Sequence, residues 1–392
     1  MEIIFTYAVK IHCFCLCFAA GIVNAVAISE RLLGREVAGL IIRVETMRIR
    51  KIKIDCSNVF FKKYLLIFLL ILLSFVTRSA LAAGHTGYVT CSALNLVCKN
   101  YNRYNTKYPI VLVHGVSGFD SLLGLMDYFH DIPESLEGNI ITGGRAKVYV
   151  ANVTAWEDAY VRGEQLLQYI QNTVLPDSGA SKVNLIGHSL GGPTIRYVAG
   201  VNPGIVASIT TVNAVNYGSG FADWGMQNMP EGSIGNAVVE KLLNALGDII
   251  DALAGNPEYE QDALQAVKFM TTAGATTFNE TFPAGKPTAY CGSGATNVNG
   301  VRYFSWGGTG VFTNVLDVSD YFLSLTGSLG YWKGEAHDGL VGRCSMHWGE
   351  VIRDNYDTNH LDAVNLLFGL RGWTNPVSNF QNQASRLRGL GL

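Results

Sequence analysis

The segment Val183-Asn184-Leu185-Ile186-Gly187-His188-Ser189-Leu190-Gly191-Gly192 restricts this chain to few folds. An apolar run of strand character ends in Gly-x-Ser-x-Gly, and Pro193-Thr194-Ile195-Arg196-Tyr197-Val198 follows with a helix-compatible pattern. A serine so placed sits on a sharp strand-to-helix turn, the nucleophile-elbow arrangement. Gly187 and Gly191 leave room for the backbone to bend and for the Ser189 hydroxyl to stand clear. The new helix would point its partial positive charge at an oxyanion forming beside that hydroxyl. The spacing alone is a weak signal in a glycine-rich chain; the strand before it and the helix after it carry the meaning.

Strand candidates alternate with helical periods from Tyr108 onward: Ile110–His114, Lys147–Val153, Lys182–Gly187, Ser208–Asn213 and Val301–Trp306. Between the second and third, Asp158–Val174 places Val161, Leu166, Leu167, Ile170 and Val174 at helical spacing. Such alternation predicts an α/β fold with a mostly parallel sheet and helices on both faces. A long insert, about residues 218–290, interrupts the later strands. Within it, Gly232–Gly255 aligns Ile234, Val238, Leu242, Leu246, Ile249 and Leu253 on one helical face. That stretch reads either as a surface helix packed on the core or as a lid, since inserts after parallel strands emerge at the ligand-binding edge.

The N-terminal part reads differently. Lys62-Lys63, the apolar run Tyr64–Val76 and Ser79-Ala80-Leu81-Ala82-Ala83 form a secretory signal, with cleavage expected after Ala82 or Ala83. The run is shorter than a membrane span of about 20 residues, and an N-terminal anchor is the other reading. The signal lies far from Met1, whereas Met47 precedes Arg48, Arg50, Lys51 and Lys53. Residues 1–46 are therefore read as an extension from a mis-assigned start, residues 47–83 as the signal region and residues 84–392 as the functional domain. Cys13, Cys15 and Cys17 fall in the extension and lack nearby His or Cys partners for a metal.

Cys91, Cys98, Cys291 and Cys344 remain after cleavage, and four cysteines in an exported chain allow three disulfide connectivities. Local pairing, Cys91 with Cys98 and Cys291 with Cys344, is the simplest; free buried thiols are the alternative. The longer bridge would close a loop of about 53 residues, worth about 4 kcal/mol. A formal net charge of −2 with 15% charged residues, and no basic block after the elbow, argue against a nucleic-acid partner.

A serine hydroxyl needs a base, and in this arrangement the partners follow in the order Ser, Asp or Glu, His. Only His337, His347 and His360 follow Ser189. His360 precedes an apolar, helix-like run, Ala363–Leu370, and suits a loop at the sheet edge. His337 adjoins Asp338, and His347 has no acid obviously placed for it. For the acid, Asp338 opens Asp338-Gly339-Leu340-Val341-Gly342, with Asp317 and Asp320 as alternatives. The oxyanion hole needs the Leu190 N–H and a second N–H from the loop Val113-His114-Gly115-Val116, where Val116 fits. His114 precedes the nucleophile and reads as a structural histidine that hydrogen-bonds this loop.

These residues, with Lys107-Tyr108-Pro109-Ile110-Val111-Leu112-Val113-His114-Gly115, Tyr149-Val150, Arg162-Gly163-Glu164-Gln165-Leu166-Leu167 and Val351-Ile352-Arg353-Asp354-Asn355-Tyr356 through Asn359-His360-Leu361-Asp362, make the chain resemble the true lipases of Gram-negative bacteria, the Pseudomonas and Burkholderia type. The resemblance runs from about Tyr104 to the C-terminus. It implies an α/β-hydrolase fold with a helical lid insert, a triad of Ser189, Asp338 and His360, and oxyanion donors at Val116 and Leu190. It also implies a structural Ca²⁺ held by Asp317, Asp362 and the carbonyls of Leu366 and Leu370, and a Cys291–Cys344 disulfide. The implied substrates are long-chain triacylglycerols, and the implied partner is a membrane-bound foldase acting during export of a monomeric, extracellular enzyme. Members of that family often carry Met where Val116 stands and a polar residue where Leu190 stands; both positions act through backbone N–H. The lead-in holding Cys91 and Cys98 has no counterpart in the family pattern.

Three functions follow as expectations: a secreted triacylglycerol lipase using an acyl-enzyme, a carboxylesterase on shorter soluble esters, and a non-catalytic lipid-binding protein on a hydrolase scaffold. The amphipathic insert argues against the second, and the complete set of triad candidates against the third.

Overall fold

A computed structural model describes residues 104–116, 121–122, 126–137, 147–228, 262–366 and 369–392, all within the second of the chain's two units, Ile67–Leu392. The N-terminal extension, the signal region, Cys91, Cys98 and the Gly232–Gly255 stretch lie outside the described residues. Among the described residues no helix is long and apolar enough to cross a membrane.

The first strand, β1 (Ile110–Val113), is followed by a small antiparallel pair, β2 (Ser121–Leu122) with β3 (Met126–Asp127). Then come β4 (Val148–Ala151), β5 (Val183–His188), β6 (Val206–Val212), β7 (Asn297–Val298), β8 (Val301–Gly308) and β9 (Glu350–Tyr356). The main sheet runs β4-β1-β5-β6-β8-β7, with β9 also paired to β8. Every pairing in it is parallel except the short β7–β8 one. β1, β4, β5 and β6 are buried at every position, as unbroken apolar runs covered on both faces should be. Alternate residues serve the two faces. Ile110, Leu112 and Ile186 pack with Phe380 and Ala384, while Val111, Val113 and Leu185 pack with Leu166 and Ile195.

The chain leaves β1 for β4 on one side and returns to β5 on the other, so the order reverses at the β1–β5 pair. At such a switch point the connections diverge to opposite faces and open a crevice beyond the carboxyl ends of the strands. Val113 and Gly187 are register partners, which brings the loop after β1 and the turn after β5 to the same spot.

Some elements differ from the sequence expectation. The helix predicted over Asp158–Val174 starts at Ala159, with the Asp158 carboxylate capping Tyr160 and Val161 N–H groups. It then widens into a π-helical turn over Ile170–Val174. Val161, counted as inward-facing, points to solvent, and buried Arg162 and Gly163 take the inner face beside Leu166. The apolar run Ala363–Leu370 does not form a helix from its start: a single 3-10 turn, Asp362–Val364, ends where Asn365 turns left-handed at φ +60°. β9 and the helices Val318–Leu329 and Pro376–Gly389 had no counterpart among the expected elements. Within the insert, described helices span Gly220–Asn228, Ala263–Met270 and Thr272–Thr281.

Candidate active site

Ser189 follows β5 with φ +54°, left-handed and rare for a residue with a side chain. Its N–H donates to Val212 O at 3.0 Å, and its carbonyl accepts from Gly192 N–H at 3.0 Å as the helix Gly191–Val201 begins. A Cβ at Gly187 would strike the Gly191 carbonyl, and one at Gly191 would strike the Val113 carbonyl. Both glycines are therefore required by close backbone approach. Leu190 is buried at the helix N-terminus, and no side chain caps that end.

The loop after β1 is held from several sides. His114 is buried, with Nδ1 2.9 Å from the Gly115 carbonyl and Nε2 3.5 Å from Val153 N. A carbonyl only accepts, so Nδ1 carries the proton. Burial, then nearby Arg162, pulls the His114 pKa down to about 3, and the ring stays neutral. Arg162, also buried, donates to the carbonyls of His114 at 2.5 Å and Ala155 at 3.3 Å, to Thr154 O, and to Thr194 Oγ1 at 3.2 Å. Burial lowers its pKa to about 9, leaving it charged at neutral pH. Gly115 lies against Ser189, since an added Cβ would come within 2.6 Å of Ser189 Cβ.

The structure brings Asp338 and His360 together. His360 Nδ1 is 2.7 Å from Asp338 Oδ2, and His360 N–H donates to the Asp338 carbonyl at 3.0 Å. The same carboxylate accepts from Leu340 N–H at 2.9 Å, Val341 N–H at 2.7 Å and Asn213 Nδ2 at 2.8 Å. With Nδ1–H given to the carboxylate, His360 Nε2 keeps its lone pair, the form a general base requires. His360 lies beside the strand that leads into Ser189: its carbonyl accepts from His188 Nε2 at 2.9 Å, and the two rings are 4.7 Å apart. Asn213 was not foreseen. It sits just past β6 at φ +43° and also ties Gly308 N–H and Trp306 O to the frame around Asp338.

The other candidates go elsewhere. His337 stacks on Trp332 at 4.3 Å, and burial pulls its pKa down. His347 contacts the Gly292 carbonyl at 3.0 Å and Asp354 Oδ2 at 3.1 Å, beside the Cys291–Cys344 disulfide, whose Cα atoms are 4.4 Å apart.

Asp317 and Asp320 form a separate buried cluster with Asp362, all three carboxylates within 4.8 Å of one another. Asp320, not foreseen here, spends both oxygens on protein donors: Oδ1 on Asn359 Nδ2 and Oδ2 on the N–H groups of Thr313 and Asn314. The Asp317 bonds to Ser319 fall on Oδ1. Asp362 Oδ1 is buried with no hydrogen-bond partner. Burial, opposed by two hydrogen bonds and reinforced by the neighbouring carboxylates, pushes the Asp362 pKa up to about 7. Leu366 is buried and Leu370 exposed on the loop that follows.

A serine on a strained turn at the reversal point of a parallel sheet, beside a buried His–Asp pair, defines an α/β hydrolase. The α/β-hydrolase fold family matches residues 108–318. A triacylglycerol lipase of Vibrio cholerae is 48% identical over 289 residues, covering 73% of this chain and 89% of that one. A triacylglycerol lipase of Pseudomonas fragi is 39% identical over 295 residues, covering 74% and 98%. Lipase 1 of Pelosinus fermentans shares the fold with a TM-score of 0.50 and 18% identity, over 73% of this chain and 100% of that one. The chain belongs to the triacylglycerol lipases of the α/β-hydrolase family.

Proposed function

We propose that the protein is a secreted, monomeric lipase that hydrolyses long-chain triacylglycerols at the lipid–water interface. Ser189 is the nucleophile, His360 the general base and acid, Asp338 the orienting carboxylate, and the N–H groups of Val116 and Leu190 the oxyanion donors. The Ser189 hydroxyl passes its proton to His360 Nε2 as Oγ bonds to the ester carbonyl carbon. The His360 imidazolium then gives that proton to the leaving diacylglycerol oxygen, and an acyl-enzyme remains. Water, deprotonated by the same ring, releases the fatty acid. The 2.7 Å His360–Asp338 contact carries this reading, because it fixes which ring nitrogen faces the reaction. The disulfide supports export to an oxidising compartment. A membrane-bound foldase during export is part of the same proposal and rests on family resemblance.

A lipase is favoured over a soluble carboxylesterase by the surface of the helix Val318–Leu329. That helix buries Ser319, Asp320, Leu323 and Thr326 and turns Val318, Tyr321 and Leu325 outward. Leu316 is 75% exposed and Trp373 98% exposed nearby in this C-terminal region. No Lys or Arg occurs from Tyr303 to Trp332. An uncharged apolar face suits an oil surface. Fatty-acid release from triolein should rise steeply once substrate exceeds its solubility. Val318→Ser with Tyr321→Ser should weaken adsorption to the emulsion several-fold while leaving hydrolysis of a soluble butyrate ester intact. Smooth saturation without an interfacial rise would favour the esterase.

The acidic cluster fits a Ca²⁺ ion. Buried carboxylates without a cation are costly, and the unpartnered Asp362 oxygen is a ready ligand. Asp317 and Asp362, with the Leu366 and Leu370 carbonyls, would hold it, and Asp320 would stay in the hydrogen-bonded frame around them. The ion would brace the loop presenting His360, because Asn359 is bonded to both Asp320 and Asp362. Removing it with EDTA should lower the melting temperature by roughly 5–10 °C, as linkage worth about 3 kcal/mol implies. Ca²⁺ but not Mg²⁺ should restore the melt; an unchanged melt would rule the ion out.

A further inference from the structure

Tyr128 and His188 take no part in the proton transfers, yet both are buried against the site. The Tyr128 hydroxyl accepts from Gly115 N–H at 3.0 Å and lies 2.6 Å from His188 Nδ1. His188 Nε2 lies 2.9 Å from the His360 carbonyl. That carbonyl can only accept, so His188 carries its proton on Nε2, and Nδ1 accepts a hydrogen bond donated by the Tyr128 hydroxyl. Donors and acceptors then match without a gap from Gly115 through Tyr128 and His188 to His360, whose N–H continues the chain to Asp338. Burial, followed by the neighbouring His360, holds the His188 pKa well below its ordinary value, so the ring stays neutral.

The two ends of this chain are Gly115, against which Ser189 lies, and His360, hydrogen-bonded to the residue just before Ser189. One end is the peptide just before Val116, pressed against the serine. The other is the backbone of the base. We propose that Tyr128 and His188 are positioning residues that lock the oxyanion loop and the His360 loop into one register across the nucleophile. This rests on the lipase reading above and adds a source of preorganisation to it. The Arg162 grip on the His114 carbonyl does not serve this purpose, because its hydrogen bonds go to His114, Thr154, Ala155 and Thr194 and not to the His360 loop. A displacement of either loop by a few tenths of an ångström would lengthen the oxyanion contact or turn the base away, and both losses fall on the transition state rather than on substrate binding.

Tyr128→Phe removes one oxygen and little volume. Using a soluble p-nitrophenyl ester, with active sites counted by stoichiometric phosphonate labelling of Ser189, kcat per labelled site should fall roughly 10–50-fold while KM stays within about twofold. His188→Leu should cause a similar loss. His188→Gln, whose amide can still donate to the His360 carbonyl, should recover a large part of it. A merely structural contribution would lower the labelled fraction or the melting temperature and leave kcat per site unchanged. If Tyr128→Phe fails to fold, the Leu and Gln variants of His188 decide alone. A kcat per site within twofold of the parent, or a Gln variant no better than Leu, overturns the proposal. Failure of the unmodified protein to label at Ser189 overturns the lipase reading instead, and this inference with it.

Discussion

Ser189→Ala should abolish fatty-acid release from emulsified triolein, with kcat falling roughly a million-fold and the fold unchanged. The loss is large because the remaining groups have nothing to activate. His360 would still be held by Asp338 at 2.7 Å, but no oxygen would receive the acyl group. The protein should stay folded because alanine tolerates φ +54° about as poorly as serine does, so the strain is unchanged. Ser189→Gly offers a sharper check. It should be equally inactive but melt higher, since glycine accepts the left-handed turn at no steric cost, a gain of about 1 kcal/mol. Measurable lipolysis by the alanine variant would place the nucleophile elsewhere.

Asp338→Asn should lower kcat by about 10⁴-fold with a small change in KM. The new amide keeps an oxygen for the N–H groups of Leu340 and Val341, so the turn survives. Its NH₂ then faces His360 Nδ1 and donates to it, and the ring's proton moves to Nε2. A ring protonated at Nε2 cannot take a proton from serine. The same NH₂ also confronts the Asn213 Nδ2 donor, which adds some loss of stability. Because Asp317, Asp320 and Asp354 are engaged elsewhere, none can substitute. A loss of less than tenfold in a pH-stat assay would show that some other group orients the base.

Much of this fold and site is legible in the amino-acid sequence itself. β1, β4, β5 and β6 read as strands because burial on both faces demands unbroken apolar runs, and the elbow reads as an elbow because two glycines answer two backbone contacts. Where polarity and burial part company, the pattern misleads. The helix Val318–Leu329 buries Ser319, Asp320 and Thr326 beside Leu323 while Val318, Tyr321 and Leu325 face solvent, so its apolar residues could not announce it as a packed surface element. Asp320 looks like a spare triad acid because sequence does not show that its oxygens are spent on Asn359 and two backbone donors. Asn213 leaves no mark, because its value comes from a backbone angle and a partner 125 positions away. Ala363–Leu370 has helical composition, yet Asn365 breaks it.

The helix Pro376–Gly389 is the last of the described elements, and Phe380, Ala384 and Leu387 on it are fully buried. Phe380 and Ala384 belong to the same apolar cluster as Ile110 and Leu112 of the first strand. During synthesis, part of one side of the central sheet therefore stays uncovered until this helix, more than 260 residues after the first strand, has emerged. Pairings between distant strands already make such topologies slow to assemble, and an uncovered greasy face invites clumping in the interval. A chain built this way gains from being shielded on its way to maturity, quite apart from anything its finished surface does.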